Sequence, residues 1–414
     1  MYPLKIAFIS YEYPPDTVTG GIGTYTYQIA RLLTKQNFDV YIFAGSHTQS
    51  GRSIENGVTI QRVQCTGPHD FQKNVVPHFE KEHTSQPFYL IESPEIHANA
   101  LEIKRRFPSI PLNVRLHASN YLVESFKKKY IPLQNKLRFF LGALRRGKWD
   151  LGYWRRYDYK NDPDYLFIQL ADHITAPTIQ MKNWIVKNWN VDPGLVKILE
   201  NPYVENALFK SAINNNEART IIFYGRLNVL KGLVTATKAM KRILKDNPSW
   251  SWLIIGEDGM AANGKDSMKE WMKKKLKNVQ EQVSFYDSVP TESIPRFLQK
   301  ASVVLIPSLF ESYSYVTIEA MCAGKAVIGS EGTGIASLIT NNVTGLLADP
   351  YSPYEWQGKI QQLINDSTLR KRLGNAACEF VENIQFKNEE IARYYKKLLQ
   401  EITNSPGCRV LPAS

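Results

Sequence analysis

The chain has 414 residues, 43% of them hydrophobic and 22% charged, with a formal net charge of +12. That length is more than one ordinary core needs and fits two domains, and the hydrophobic share is that of a globular protein. The four cysteines, Cys65, Cys322, Cys378 and Cys408, have no metal-ligand spacing, and no stretch reaches the 18 to 20 apolar residues of a membrane span.

In chain order, Lys5-Ile-Ala-Phe-Ile-Ser10 reads as a short strand, not a signal peptide. A cytoplasmic protein with buried, reduced cysteines is the expectation. Apolar β-rich runs recur at 38–44, 87–91, 112–117 and 173–176, with helical periodicity at 22–35, 96–106 and 178–188. A further strand at 196–199 ends at Asn201-Pro202, and the polar run 212–219 reads as an interdomain linker. The pattern then restarts. Strands are predicted at 220–224, 252–256, 283–286, 303–307 and 326–329, and helices at 232–245, 267–277, 291–300 and 315–322. Three more helices follow, near 352–363, 366–381 and 387–401, before a loose end. Strand-helix alternation repeated twice predicts an α/β protein of two doubly wound, Rossmann-like domains, with ligand sites at the carboxyl ends of the strands. The expected domains are 1–208, carrying an insertion at 121–160 and joined by the last helix at 387–405, and 209–386.

The charge is concentrated. Residues 121–160 hold eleven Lys or Arg against three Asp or Glu, interleaved with ten aromatics. That mixture suits an anionic lipid surface, and also a solvated helical hairpin. Nucleic acid is the least favoured partner.

The densest chemical signal is Glu311 and Glu319, separated by seven residues in Phe-Glu-Ser-Tyr-Ser-Tyr-Val-Thr-Ile-Glu-Ala. The first carboxylate precedes a predicted helix and the second lies about one turn inside it. Free backbone N–H groups between them take an anion. Two acids flanking such amides seat a sugar nucleotide: one acid for the sugar, the amides for phosphate, one acid for ribose. Arg226 ends the first strand of the second half, and Lys231 precedes Gly232 and a helix. Two cations there neutralise a leaving diphosphate. Glu257 lies in the tight turn Gly256-Glu-Asp-Gly259.

Gly20-Gly21-Ile22-Gly23 follows the first strand and opens a helix, so Gly21 and Gly23 let backbone approach a ligand; a purely structural turn is the competing reading. His117 ends the strand Asn113-Val-Arg-Leu-His117, where it hydrogen-bonds a sugar hydroxyl or serves structure alone. Metal chemistry is not expected: there is no His-Glu-x-x-His, and Asp162-Pro-Asp164 is better read as a helix N-cap than as a Mg²⁺ site.

Together these segments, with Ala320-Met-Cys-Ala-Gly-Lys-Ala-Val-Ile328 and Asn342-Val-Thr-Gly-Leu-Leu-Ala-Asp-Pro350, resemble the retaining glycosyltransferases of family 4, of bacterial polysaccharide-biosynthesis type. The resemblance spans nearly the whole chain and implies the GT-B fold, two Rossmann-like domains facing a cleft. It implies that Arg226 and Lys231 grip the donor diphosphate, Glu311 meets the donor sugar, amides near Tyr315 and Val316 meet the distal phosphate, and Glu319 holds the ribose. It also implies that His117 touches the sugar near C6 and that Gly21 or Gly23 packs by the phosphates. No cofactor or metal is implied beyond the nucleotide-sugar donor, UDP-glucose as first expectation. The departure is 121–160, which suggests a lipid-linked sugar or growing polysaccharide as acceptor, in capsule, exopolysaccharide or lipopolysaccharide assembly. That places the enzyme at the inner face of the cytoplasmic membrane. The alternatives are a soluble-acceptor transferase, as in sucrose, trehalose or glycogen synthesis, and a non-catalytic nucleotide-sugar binding protein.

Overall fold

Strands buried on both faces need continuous apolar runs, and this chain supplies them twice. The computed structural model describes residues 4–17, 20–131, 133–154, 157–204, 207–212 and 218–404. Most of the linker expected at 212–219, and the tail beyond 404, lie outside the described residues.

The first elements are β1 (Lys5–Ser10), α1 (Gly21–Lys35), β2 (Asp39–Ser46), β3 (Gly51–Glu55), β4 (Val58–Gln64), α2 (Pro68–Ser85), β5 (Leu90–Pro94), α3 (Leu101–Arg106) and β6 (Leu112–Arg115). There follow α4 (Asn120–Tyr130), α5 (Leu133–Arg145), α6 (Pro163–Ile168), β7 (His173–Ala176), α7 (Ile179–Trp189), β8 (Val196–Ile198) and α8 (Ala207–Lys210). The second series is β9 (Thr220–Tyr224), α9 (Leu233–Asp246), β10 (Ser251–Ile255), α10 (Met268–Lys275), β11 (Val283–Tyr286), α11 (Ile294–Leu298), β12 (Val303–Ile306), α12 (Tyr315–Cys322), β13 (Ala326–Ser330) and β14 (Leu346–Ala348). It closes with α13 (Pro353–Asn365) and α14 (Ser367–Asn404).

The contacts divide the chain into two units. One comprises Met1–Asn120, Asp158–Val204 and Ile384–Ser414; the other comprises Tyr121–Tyr157 and Glu205–Asn383. The first holds an eight-stranded sheet in the order β3-β4-β2-β1-β5-β6-β7-β8, parallel except for the β3–β4 hairpin. The second holds a six-stranded parallel sheet, β11-β10-β9-β12-β13-β14. Each is a doubly wound, Rossmann-like arrangement with helices between most successive parallel strands.

In the second unit, α9 and α13 cover the sheet with Leu233, Met240, Ile243, Trp356 and Ile360, all buried against Trp252 and Ile254. Large side chains buried this way stabilise by about 2–3 kcal/mol each. The Trp356 indole N–H donates to the Asp349 carbonyl at 3.0 Å, so its burial leaves no orphaned donor. Segment 121–157 groups with this unit, although its place in the chain suggests the first. Phe126 packs on Phe310 with ring centroids 5.7 Å apart, and the Asn135 amide donates to the Asn263 carbonyl at 2.9 Å.

Several local expectations change. Asn56 and Gly57 both adopt positive φ, of 52° and 81°, and turn the β3–β4 hairpin, which apolar periodicity alone does not reveal. The helix expected at 96–106 is a 3-10 turn at Ile96–Ala98 followed by α3, because His97 and Ala98 take φ of 62° and 44°. The two helices expected near 366–381 and 387–401 are one, α14, since neither Gly nor Pro interrupts the join. Helix α2 carries Pro77 inside it, which hides its periodicity.

Candidate active site

The second unit gathers most of the predicted residues at the carboxyl ends of β9, β10 and β12. After β9 the chain runs through Arg226, which is exposed, into a 3-10 turn at Val229–Lys231. The Asn228 side chain caps that turn, accepting the Lys231 N–H at 3.1 Å. Gly232 has φ of 68°, and a Cβ there would stand 1.7 Å from the Pro307 carbonyl oxygen. Only glycine lets the loop after β9 lie this close to the loop after β12.

That approach brings Lys231 onto Glu311. Lys231 Nζ is paired with Glu311 Oε1, and the Ser308 hydroxyl donates to the same oxygen at 3.1 Å. Both side chains are mostly buried. The Glu311 carbonyl accepts the Gly334 N–H at 2.8 Å, which ties the loop before α12 to the loop after β13. The sequence pattern anticipates two cations for a diphosphate; the structure shows one of them already holding a carboxylate. An ammonium has three donors, so Lys231 keeps capacity for an incoming anion while it orients Glu311.

Helix α12 starts behind this pair. Ser314 is its N-cap, accepting the Thr317 N–H at 3.3 Å, and Tyr315 and Val316 form the first turn. Glu319 lies one turn further along and is partly exposed. Burial of its carboxyl raises its pKa to about 7, with the Tyr224 hydroxyl pulling the other way. Tyr224, from the end of β9, also donates to the Val316 carbonyl at 3.0 Å, which fixes the helix start against the sheet. Glu257 is exposed, and its carbonyl accepts the Leu227 N–H at 2.8 Å. Arg226 and Glu257 line one cavity of about 780 Å³, whose facing wall comes from residues 131–153.

The first unit holds the rest. His117 follows β6 and is buried. Its backbone N–H lies 2.8 Å from both carboxyl oxygens of Glu95, and its ring stands edge-on to Tyr25, centroids 5.2 Å apart. Burial, aided by the Arg115 charge, lowers its pKa to about 3, so the imidazole is neutral throughout the physiological range. Burial raises Glu95 to about 8 against the pull of the His117 N–H. Asp164 is raised to about 7, again by burial first, and accepts N–H groups from His97 and Asn120, each at 2.8 Å. Asp162 caps α6 by accepting the Asp164 N–H at 2.7 Å, as the sequence reading of Asp162-Pro-Asp164 expects. Gly21 and Gly23 sit in the first turn of α1; Gly21 is exposed with open space where a side chain would stand, and Gly23 is buried.

One unit therefore brings together Arg226, Lys231, Glu257, Glu311, Tyr315, Val316 and Glu319, while Gly21, Gly23 and His117 belong to the other. Ser308, Asn228 and Tyr224 shape the first group and carry no pattern that a sequence reading isolates. Among the described residues, no group of three or more His, Cys, Asp or Glu side chains is placed to hold a metal ion, and no helix is long and apolar enough to cross a membrane.

Two Rossmann-like units with this carboxylate-bearing helix start define a GT-B glycosyltransferase. Residues 19–204 match the model described as Glycosyltransferase Family 4, and residues 204–380 match the one described as Glycosyl transferases group 1. The chain belongs to this family, and it is an enzyme that transfers a sugar from a nucleotide-sugar donor to an acceptor. It is 23% identical over 408 residues to a D-inositol 3-phosphate glycosyltransferase of Corynebacterium diphtheriae, covering 92% of each chain. Among solved structures, it is similar to a sucrose-phosphate synthase from Thermosynechococcus elongatus, with TM-score 0.74 and 18% identity over 96% of this chain and 100% of that one. It is also similar to Anabaena Alr3699/HepE in complex with UDP-glucose, with TM-score 0.64 and 15% identity over 95% of this chain and all of that one.

Proposed function

We propose that this chain is a retaining hexosyltransferase that takes a nucleoside diphosphate hexose, UDP-glucose first, and passes the hexose to a soluble acceptor in the cytoplasm. The observation that carries the reading is the Lys231–Glu311 pair set against the first turn of α12, with Glu319 one turn behind. In this reading Arg226 and Lys231 meet the donor diphosphate, with Glu257 near the nucleotide. Glu311 meets the sugar hydroxyls, the Tyr315 and Val316 amides the distal phosphate, and Glu319 the ribose. His117 offers a neutral imidazole to the sugar, and Gly21 and Gly23 leave room by the phosphates. The bond from the sugar's anomeric carbon to the phosphate oxygen breaks as the bond to the acceptor oxygen forms on the same face. The acceptor proton passes to the departing phosphate, so no protein base is needed and no metal is required. Fixed positive charge and helix amides stabilise the charge that develops. The named activities of the Corynebacterium and Thermosynechococcus relatives, on an inositol phosphate and in sucrose-phosphate synthesis, support a soluble acceptor.

The test is release of nucleoside diphosphate from a panel of UDP-, GDP-, ADP- and dTDP-sugars in EDTA, with and without soluble sugars and polyols. Acceptor-stimulated turnover of one preferred donor supports the reading. Donor binding without turnover of any donor would make the chain a binding protein instead.

A lipid-linked acceptor is the second reading, favoured by α5. Leu133, Leu137, Leu141 and Leu144 are 64, 45, 54 and 40% exposed and fall on one helical face; Trp149, beyond the helix, is 78% exposed. Lys136, Arg145, Arg146 and Lys148 surround them, as at an anionic lipid surface. The Lys127 and Lys129 side chains, part of the same basic segment, lie outside the described residues. Neutralising Lys136, Arg145, Arg146 and Lys148 together should abolish pelleting with phosphatidylglycerol vesicles; unchanged pelleting removes this reading.

A further inference from the structure

The amino-terminal edge of the first sheet carries a groove of about 1220 Å³, at the opposite end of the strands from His117. One unit alone builds it, from the end of α1, the chain just before β1, β2 and β5, and the last turns of α14. Pockets for drug-sized ligands hold about 300–1,000 Å³, so this groove has room for a chain of linked rings. Leu4, Phe38 and Tyr89 line it where they precede β1, β2 and β5, which lie side by side in the order β2-β1-β5. The Asp39 N–H donates to the Leu4 carbonyl at 3.3 Å and the Tyr89 N–H to the Lys5 carbonyl at 3.0 Å, so backbone pairing holds this edge in place. Phe38 and Tyr89 are partly exposed, and such rings take the C–H face of a sugar.

Helix α14 supplies the other wall. Glu389, Arg393, Lys396, Gln400 and Thr403 recur at intervals of three or four and fall on one helical face. Ile391, Tyr395, Leu398 and Ile402 are buried on the opposite face. The row therefore presents one hydrogen-bonding side chain per turn, a repeat of about 5.4 Å, close to the length of one sugar residue in an extended oligosaccharide. From Glu389 to Thr403 it runs about 21 Å, at about 1.5 Å per residue. Among the described residues, the Glu389, Arg393, Lys396 and Gln400 side chains make no hydrogen bond or ion pair. An amide, a hydroxyl, a carboxylate and two cations supply donors and acceptors with little excess charge. That set meets sugar hydroxyls, each of which both donates and accepts. Phosphate or an anionic lipid surface calls for clustered cations with no carboxylate among them.

We propose that this groove is a non-catalytic oligosaccharide site, in which Phe38 and Tyr89 take sugar faces and the α14 row takes the hydroxyls of successive sugars. Its occupant is a neutral glycan of several residues. The site gives the first unit a tethering role that the transfer chemistry does not require, and it does not depend on which acceptor the catalytic site takes.

The test is calorimetry of the full chain, saturated with UDP, against maltohexaose, cellohexaose and laminarihexaose, with glucose as the single-ring control and heparin as the polyanion control. At least one hexasaccharide should bind tenfold or more tightly than glucose. Arg393→Ala combined with Gln400→Ala should weaken that hexasaccharide about tenfold or more, the worth of a hydrogen bond to a charged group, while UDP affinity stays within twofold. Both side chains are exposed, so the double variant should keep the wild-type circular dichroism and unfolding midpoint. Glu311→Gln, in the other unit, should leave hexasaccharide affinity within twofold. If no hexasaccharide binds more tightly than glucose, the proposal is overturned. It is overturned equally if Glu311→Gln abolishes the binding and the groove variant does not, which would give the glycan to the catalytic site. Heparin binding more tightly than every hexasaccharide would also overturn it, by making the groove an anion site. Failure of the transferase reading looks different: the wild-type enzyme would turn over no donor, whatever the hexasaccharides do.

Discussion

Glu95 should make the first unit lose stability as pH rises. Its carboxyl is wholly buried under the His117 backbone and is held near pKa 8, against about 4.5 when the chain is unfolded. Between those values the unfolded chain has released the proton and the folded one keeps it. The folded state therefore binds more protons, and stability falls with rising pH by about 1.4 kcal/mol per unit for this group. From pH 5.5 to 8 that amounts to roughly 3 kcal/mol, and the decline ends above pH 8. Glu95→Gln keeps the shape, retains a carbonyl acceptor for the His117 N–H, and removes the titration. Asp164, raised to about 7 by burial, adds a slope of the same sign that the variant retains. Equilibrium urea unfolding at pH 5.5, 6.5, 7.25 and 8 should show the wild type losing about 3 kcal/mol more than Glu95→Gln. The difference is taken from slopes, so a constant cost of the substitution drops out. Parallel profiles would refute the argument and mean that Glu95 is ionised in the folded protein.

Glu311→Gln leaves Lys231 without its carboxylate and should lower transfer by about 10- to 100-fold, the worth of a charge-assisted hydrogen bond, while UDP affinity changes little; calorimetry beside steady-state kinetics separates the two. If Glu319 holds the ribose, UDP affinity should rise as pH climbs through about 7, where the carboxylate becomes a double acceptor, and Glu319→Gln should flatten that dependence. Gly232→Ala places a methyl on the Pro307 carbonyl at positive φ. It should cost about 2 kcal/mol or more in urea unfolding and should reduce transfer further than that loss explains, by moving Lys231 off Glu311. An unchanged unfolding midpoint would show that the loop yields freely.

Much of this was legible because the sequence periodicities and the chemistry coincide. Both sheets follow from apolar runs such as Lys5–Ser10 and Val303–Ile306, whose residues are all buried. Glu311, Glu319, Arg226 and Lys231 stand at strand ends or helix starts, where type and position can be read together. Glu95 and Asp164 were not legible as supports of His117 and His97, because a buried acid looks like a surface acid until its neighbours are known. The wall that 131–153 builds beside Arg226 was hidden for a related reason. Its leucines and cations read as one amphipathic helix, and only packing shows that Asn135 and Arg138 turn to one side and the leucines to the other.

The far end of α14 has a consequence for how the protein is made. Tyr395 bonds to the buried Glu92, Lys387 holds Glu200 at 2.6 Å, and Asn388 donates to the Tyr203 carbonyl at 2.9 Å. Leu398, Leu399 and Ile402 are buried. On the ribosome, the first unit therefore lacks this helical segment until residues from Ile384 onward have been made, whereas the other unit has all of its residues by Asn383. The usual order of domain completion is inverted. A nascent chain stalled with 383 residues outside the tunnel should already protect the second unit from pulse proteolysis and leave the first open to cleavage.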